Sequence, residues 1–369
     1  MNIDSLSGRR QSATRTRRRI IVALVTVLIV GLAAAATASY WKPVAKRSKW
    51  VVVGANLYQD LLRRAHIRTD QIGQVEGDER ASSELPGALE AIDSTYAGYL
   101  EHGQIAPGWL SGKRVLELGP GDNMGVALRF SVAGAAFVSA IDKFVPLQTS
   151  SYHHTLYETL RSRLAPDEAK RFDEALDLSN RAIRPRTDRL EWVYGRGFEE
   201  TDTYRPQSFD VIVSNAVLEE IYDIDLAFEG MDRLLRPGGL MLHKIDLRDY
   251  GMFTNHGFHP LEFLTVPDAV YRRMVESSGQ PNRRLVDYYR KKTAERGYDT
   301  TIYTTWVLGV PQELHPHKTV LAAGVDYSKN TTDLIASIRP RLLPRYQSLP
   351  DEDLMVQGIY LVAHKPAGN

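Results

Sequence analysis

The chain has 369 residues, of which 43% are hydrophobic and 25% charged, with a formal net charge of +1. Such a composition suits a globular protein and gives no whole-chain basic signal for nucleic acid. Cysteine is absent, which excludes disulfides, thiolate zinc sites, thiolate-held iron–sulfur clusters and a cysteine nucleophile.

The positive charge is local. Arg9, Arg10, Arg15, Arg17, Arg18 and Arg19 form a basic tail over residues 1–19. Ile20 to Ser39 then carry no charge. Twenty such residues rise about 30 Å as a helix, enough to cross a bilayer core. Tyr40 and Trp41 follow, ring types that favour a membrane interface. The run is read as a transmembrane anchor. A cleaved signal peptide is the rival, with Ala36-Thr37-Ala38 as its small-x-small site and a loose twin-arginine pattern at Arg17-Arg18. Lys42, Lys46, Arg47 and Lys49 follow the span, so the charge bias toward an inside N-terminus is weak.

Residues 40–85 are mostly polar and read as a stalk, with a helix expected over Ala55 to Arg68. From residue 86 to 369 short apolar runs alternate with helical patterns, as a parallel sheet with crossover helices demands. Strands are expected at Arg114–Leu118, Phe137–Ile141, Leu190–Val193, Phe209–Val213, Leu240–Ile245, Thr300–Leu308 and Gln357–Ala363. Asp225 to Leu235 reads as a crossover helix, stopped by Arg236-Pro237-Gly238-Gly239. Leu156 to Ile183 reads as a helical insertion.

The most informative stretch is Val115-Leu116-Glu117-Leu118-Gly119-Pro120-Gly121-Asp122-Asn123. A strand runs into a glycine pair and then a helix. Gly119 permits a tight turn, and Gly121 removes the Cβ where a ligand approaches the backbone. Asp122 or Asn123 is a candidate helix cap. The next strand ends at Asp142, twenty-one residues beyond Gly121, where an acidic side chain accepts from ribose hydroxyls in this fold. No Lys-Ser/Thr follows the last glycine, so a phosphate-binding P-loop is excluded. The third glycine of a dinucleotide fingerprint is displaced by one residue, to Gly125.

These segments resemble the class I S-adenosylmethionine (SAM)-dependent methyltransferase superfamily, whose domains are Rossmann-like. Val115 to Gly121 is similar to its first motif, Ser208 to Glu219 to its fourth-strand motif, and Leu234 to Gly239 to the turn before its fifth strand. A narrower resemblance joins His243 to Tyr250 and Pro281 to Arg284 with uncharacterised bacterial methyltransferases linked to cell-surface glycan synthesis. The superfamily usually has histidine after the residue matching Glu219; this chain has Glu220.

The resemblance implies an α/β fold with a seven-stranded, mostly parallel sheet and helices on both faces. It implies SAM as cofactor, with its methionine end on Glu117, Gly119 and Gly121 and its ribose on Asp142. Phe198 and Glu199 would lie near adenine, and Ser214 and Asn215 beside the sulfonium. His243 is the expected general base, with Asp246 orienting it or contacting acceptor hydroxyls. Arg248, Arg283 and Arg284 are either an anion clamp for the acceptor or solvated charge. His153 and His154 read as helix surface, and His256 and His259, without a third ligand, make no metal site.

The expected reaction is methyl transfer to an oxygen of a glycan, a lipid-linked acceptor or a small molecule near a membrane. The catalytic domain is expected in the cytosol, where SAM is made. A non-catalytic scaffold of the same fold and an NAD-dependent oxidoreductase are the alternatives.

Overall fold

The computed structural model describes residues 48–67, 85–144, 150–195, 197–198, 204–277 and 279–368. The expected membrane span at 20–39 and the basic tail lie outside these residues. Among the described residues no helix is long and apolar enough to cross a membrane. The chain divides into two compact units at Ala55/Asn56. Helix α1 (Lys49–Ile67) contains that division point, and the sheet and its helices belong to the unit from Asn56 onward.

The elements that matter follow in chain order: α2 (Leu85–His102), β1 (Arg114–Leu118), α3 (Gly125–Val132), β2 (Phe137–Asp142), α4 (Ser150–Ser162) and α5 (Pro166–Ala175). Then come β3 (Leu190–Tyr194), β4 (Phe209–Asn215), α6 (Ile224–Leu234), β5 (Leu235–Asp246), α7 (Asp268–Val275) and α8 (Val286–Glu295). The chain closes with β6 (Asp299–Val307), α9 (Lys329–Ile338) and β7 (Val356–His364).

The seven strands form one sheet in the order β3-β2-β1-β4-β5-β7-β6. The pairs from β3 to β5 are parallel, and β7 lies antiparallel between β5 and β6. The order reverses between β1 and β4, so a crevice opens beyond the carboxyl ends of those two strands.

Alternation along the strands builds two cores. Val115, Val138, Val211, Val213 and Leu242 pack with Leu89 and Ile92 of α2 and Leu128 and Phe130 of α3. Leu116, Ile212, Met241, Ile245 and Leu361 pack with Phe228 and Met231 of α6 and Tyr289 of α8. Burial on both faces is why these strands read as continuous apolar runs.

All seven expected strands are present, within a residue or two at most ends. The exception is β5, which begins at Leu235 and takes in Pro237, Gly238 and Gly239. Leu235 pairs with Phe209 and is fully buried, so the chain enters the sheet before the glycines. Those residues form an irregular strand start, with Gly238 at φ +73°, where a turn before the strand was expected. The helical insertion is present as α4 and α5, and contrary to expectation His153 is buried.

Candidate active site

The glycine loop is held from three sides. Gly119 (φ +63°) and Gly121 (φ +72°) occupy the left-handed region. The Gly121 N–H donates to Asp142 Oδ2 at 3.2 Å, and Asp142 Oδ1 accepts the Phe144 N–H at 2.8 Å. Asn123 Oδ1 accepts the Gly125 N–H at 2.9 Å, a turn just ahead of α3, whose N-cap position is held by Met124 and not by Asp122 or Asn123 as expected. Tyr157, from the insertion, takes the Met124 N–H on its hydroxyl at 2.9 Å.

A Cβ built on Gly119 would fall inside the Val217 side chain. Gly119→Ala therefore combines a left-handed alanine with a clash. We expect a loss of about 2–5 kcal/mol of stability, measured by urea unfolding.

Above this loop lies a cavity of about 430 Å³, within the range of small-molecule sites. Glu117, Gly119, Gly121, Asp142, Phe198 and Asn215 all line it, as expected from the sequence. Glu199 lies outside the described residues. Its wall also includes Ala88, Ala91, Ile92 and Thr95 of α2 and Glu276, Ser277 and Gly279.

The stretch read as a stalk also contributes. Buried Asp60 of α1 accepts the Ser277 N–H at 2.6 Å, and Arg64 bridges Asp60 and Glu276 at 3.1 Å each. Sequence reasoning missed α2 as a pocket wall and α1 as the support behind Ser277 and Glu276. The one available signal was a carboxylate, Asp60, on the apolar side of an amphipathic helix.

The geometry tests whether an adenosyl ligand fits. Glu117 is buried, and its Oε2 has no hydrogen-bond partner. Burial, then the nearby Asp142 charge, raises its pKa to about 8. A buried carboxyl oxygen without a partner in a cavity wall is costly without a ligand, and the ammonium of a methionine moiety is a donor it would accept from. The glycine backbone lies open beside it, with a second carboxylate at the strand end. The residues fit SAM.

Three expectations for the chemistry need correction. His243 is fully buried within the sheet and lines no described cavity. Its Nδ1 meets Ser214 Oγ at 2.7 Å, its Nε2 has no partner, and burial lowers its pKa to about 3. It cannot touch an acceptor. Ser214, turned toward it, is likewise buried and does not line the cofactor cavity. Asp246 cannot orient His243, because residues three apart on a strand face opposite sides of the sheet. Asp246 instead binds Arg248 at 2.6 Å and offers its N–H to Glu219 Oε1 at 3.0 Å.

Buried Glu219 also accepts the Tyr250 hydroxyl at 2.7 Å, and burial raises its pKa to about 8. His243→Ala should cost about 2–4 kcal/mol, through a cavity and an orphaned Ser214 hydroxyl. S-adenosylhomocysteine (SAH) affinity measured by calorimetry should stay unchanged.

Nor do Arg283 and Arg284 join Arg248 in a clamp. Arg283 is buried, donates to the carbonyls of Phe263 and Val266 at 3.1 and 2.6 Å, and pairs with Asp268 at 2.6 Å. Arg284 stacks on Tyr288 and approaches Asp225 at 3.6 Å. His259 meets the Leu334 carbonyl at 3.1 Å. Among the described residues no group of three or more His, Asp or Glu side chains is placed to hold a metal ion.

A family model described as "Methyltransferase domain" matches residues 171–243, from α5 to β5. No curated protein matches. Solved structures with a similar fold include phosphoethanolamine N-methyltransferase 2 of Haemonchus contortus with SAM, at 14% identity and TM-score 0.39, covering 78% of this chain and 59% of that one. A SAM-dependent methyltransferase of Mesorhizobium loti has 15% identity and TM-score 0.35, with 76% of this chain and all of that one covered. The [4+2]-cyclase SpnF has 17% identity and TM-score 0.38, covering 80% and 87%. Likeness at this level carries no argument about substrate. The methyltransferase-domain match, together with the glycine-and-carboxylate cavity at the strand-order reversal, marks the chain as a SAM-dependent methyltransferase with S-adenosylmethionine as its cofactor.

Proposed function

We propose that the chain methylates an oxygen of a hydroxyl-bearing acceptor, a glycan, lipid-linked or small molecule, held near a membrane. The observation that carries the cofactor assignment is the unpartnered Glu117 Oε2 in the wall of a cavity that Asp142 also lines. When bound, SAM supplies a methyl on a sulfonium, already a good leaving group. The protein's task is then to hold an acceptor in line and take its proton, and orientation alone is worth up to roughly 7–11 kcal/mol.

Asp142 would accept from the ribose hydroxyls, Glu117 would take the ammonium, and Phe198 would lie near adenine. Asn215, at the tip of β4, borders the reacting centre. A second cavity of about 220 Å³ shares Asn215 and Ala216 with the first and holds Asp246 and Arg248. Its position beside Asn215 suits the acceptor.

The apolar run at 20–39 is proposed as a tether that concentrates the enzyme at the acceptor's surface, with the catalytic domain on the cytosolic side. Alkaline carbonate extraction of membranes tests this: an anchored chain stays in the pellet, a cleaved or peripheral one leaves it. Calorimetry with SAM, SAH and NAD tests the cofactor. Binding of both adenosyl sulfur compounds and none of NAD is expected. Heat with NAD alone would return the chain to the oxidoreductases.

A further inference from the structure

A row of titratable side chains runs from the interior to the wall of the smaller cavity. His102, the last residue of α2, is buried, with Tyr360 stacked on its ring at 4.0 Å and Tyr303 edge-on at 5.1 Å. Its Nδ1 lies 2.8 Å from the Gly98 carbonyl, and its Nε2 lies 2.7 Å from His317 Nδ1. His317 Nε2 in turn lies 3.1 Å from Glu313 Oε1. Lys244 Nζ meets the same oxygen at 2.8 Å. His315 stacks on His317 at 5.7 Å. Glu313 and Lys244 both line the cavity beside Asn215, as do Asp246 and Arg248.

Counting protons shows what this row is built for. The Gly98 carbonyl can only accept, so His102 Nδ1 carries a proton. The nitrogen–nitrogen contact needs one more, and the nitrogen–carboxylate contact a third. Two neutral imidazoles supply two. The three contacts are all satisfied only when the row holds one proton beyond two neutral rings and an ionised Glu313. Without it, one contact sets lone pair against lone pair.

We propose that Glu313, backed by His317 and His102, is the proton acceptor for methyl transfer to a hydroxyl bound in the cavity beside Asn215. This rests on the methyltransferase reading above. The acceptor oxygen forms its bond to the methyl carbon as the carbon–sulfur bond breaks, and the sulfur leaves as a neutral thioether. The hydroxyl proton passes to the Glu313 carboxylate and is shared with the imidazoles behind it. His317 and His102 are positioning residues.

The resting charge state agrees. Burial pushes the Glu313 carboxyl up, but the Lys244 ammonium, with His317, outweighs it and leaves the group below its ordinary range. Burial, then His102, holds His317 below its ordinary range. Both shifts favour an ionised Glu313 beside a neutral His317, the pair that can take up a proton.

Two measurements on the full chain test this. Nitrogen chemical shifts of the imidazoles should show His102 and His317 taking up one shared proton with a common midpoint, His102 Nδ1 staying protonated throughout. In Glu313→Gln the midpoint should fall. Independent titration of the two rings, or a bare His102 Nδ1, overturns the relay.

The second measurement is transfer of labelled methyl from SAM to a bacterial extract separated into lipid and carbohydrate fractions. Glu313→Gln should lose about 10²- to 10⁴-fold in rate. Glu313→Asp should recover part of the loss, and SAH binding should be intact in both. A wild-type rate in Glu313→Gln overturns the proposal, as does a wild type that binds SAH but labels no hydroxyl-bearing fraction. Failure of the wild type to bind SAH strikes instead at the methyltransferase reading, and the nitrogen shifts still report on the relay.

Discussion

Replacing Asp142 with alanine lowers SAH affinity by about 10²- to 10⁴-fold. The carboxylate does two things. It holds the loop, taking the Gly121 and Phe144 N–H groups at 3.2 and 2.8 Å. It also stands in the cavity wall, where ribose hydroxyls need an acceptor. Hydrogen bonds to charged groups contribute about 1.5–3 kcal/mol each, so two ribose hydroxyls account for about 3–6 kcal/mol. At about 1.4 kcal/mol per factor of ten, that is the stated loss.

Asp142→Asn separates the two roles. The amide keeps one oxygen for a loop N–H but no longer accepts on both sides, so binding should fall by a smaller factor. Calorimetric titration of both variants, with circular dichroism to confirm folding, decides it. Unchanged affinity in Asp142→Ala would put the sugar elsewhere and remove the ribose assignment.

The sheet was legible in the sequence because its strands are buried on both faces, and an apolar run bounded by turn residues has few other readings. The loop was legible for a different reason. Gly119 and Gly121 must adopt positive φ, and Asp142 must end the neighbouring strand, so local spacing encodes their meeting. Glu117, Phe198 and Asn215 followed because they sit at fixed offsets from strand ends.

What failed depended on side-chain direction and on contacts distant in the chain. His243 and Asp246 are close in sequence, and only the pleat, with Asp246 still inside β5, sends them to opposite faces. Arg283 looked like a surface cation and is instead buried against three oxygens 15 to 20 residues away. Glu313 and His317 come from a loop with no periodic pattern. Their partners, Lys244 and His102, lie 69 and 215 residues distant, so no local signal joins them.

The second large effect concerns pH. Glu117 is buried and has its pKa raised to about 8, by burial first and the Asp142 charge second. In the ligand-free protein it is therefore mostly neutral at pH 7. The ammonium proposed to bind there favours the carboxylate, so binding must ionise it. The sign follows from linkage. Below pH 8 complex formation releases a proton, and SAH affinity rises with pH by up to about tenfold per unit, levelling off near 8.

Stability of the ligand-free protein runs the other way. A carboxyl whose folded pKa is raised favours the folded state below its unfolded value of about 4.3. That contribution is lost as pH climbs toward 8, so the melting temperature should fall across this window while the stabilisation by SAH grows.

Glu117→Gln removes the titrating group. It should flatten the pH dependence of SAH affinity and abolish the proton release, which calorimetry in two buffers of different ionisation heat measures directly. Because Glu219 also has a pKa raised to about 8, the melting curve of this variant should keep part of its slope. SAH affinity that stays level from pH 6 to 8 in the wild type would mean that Glu117 is not the group that meets the ammonium.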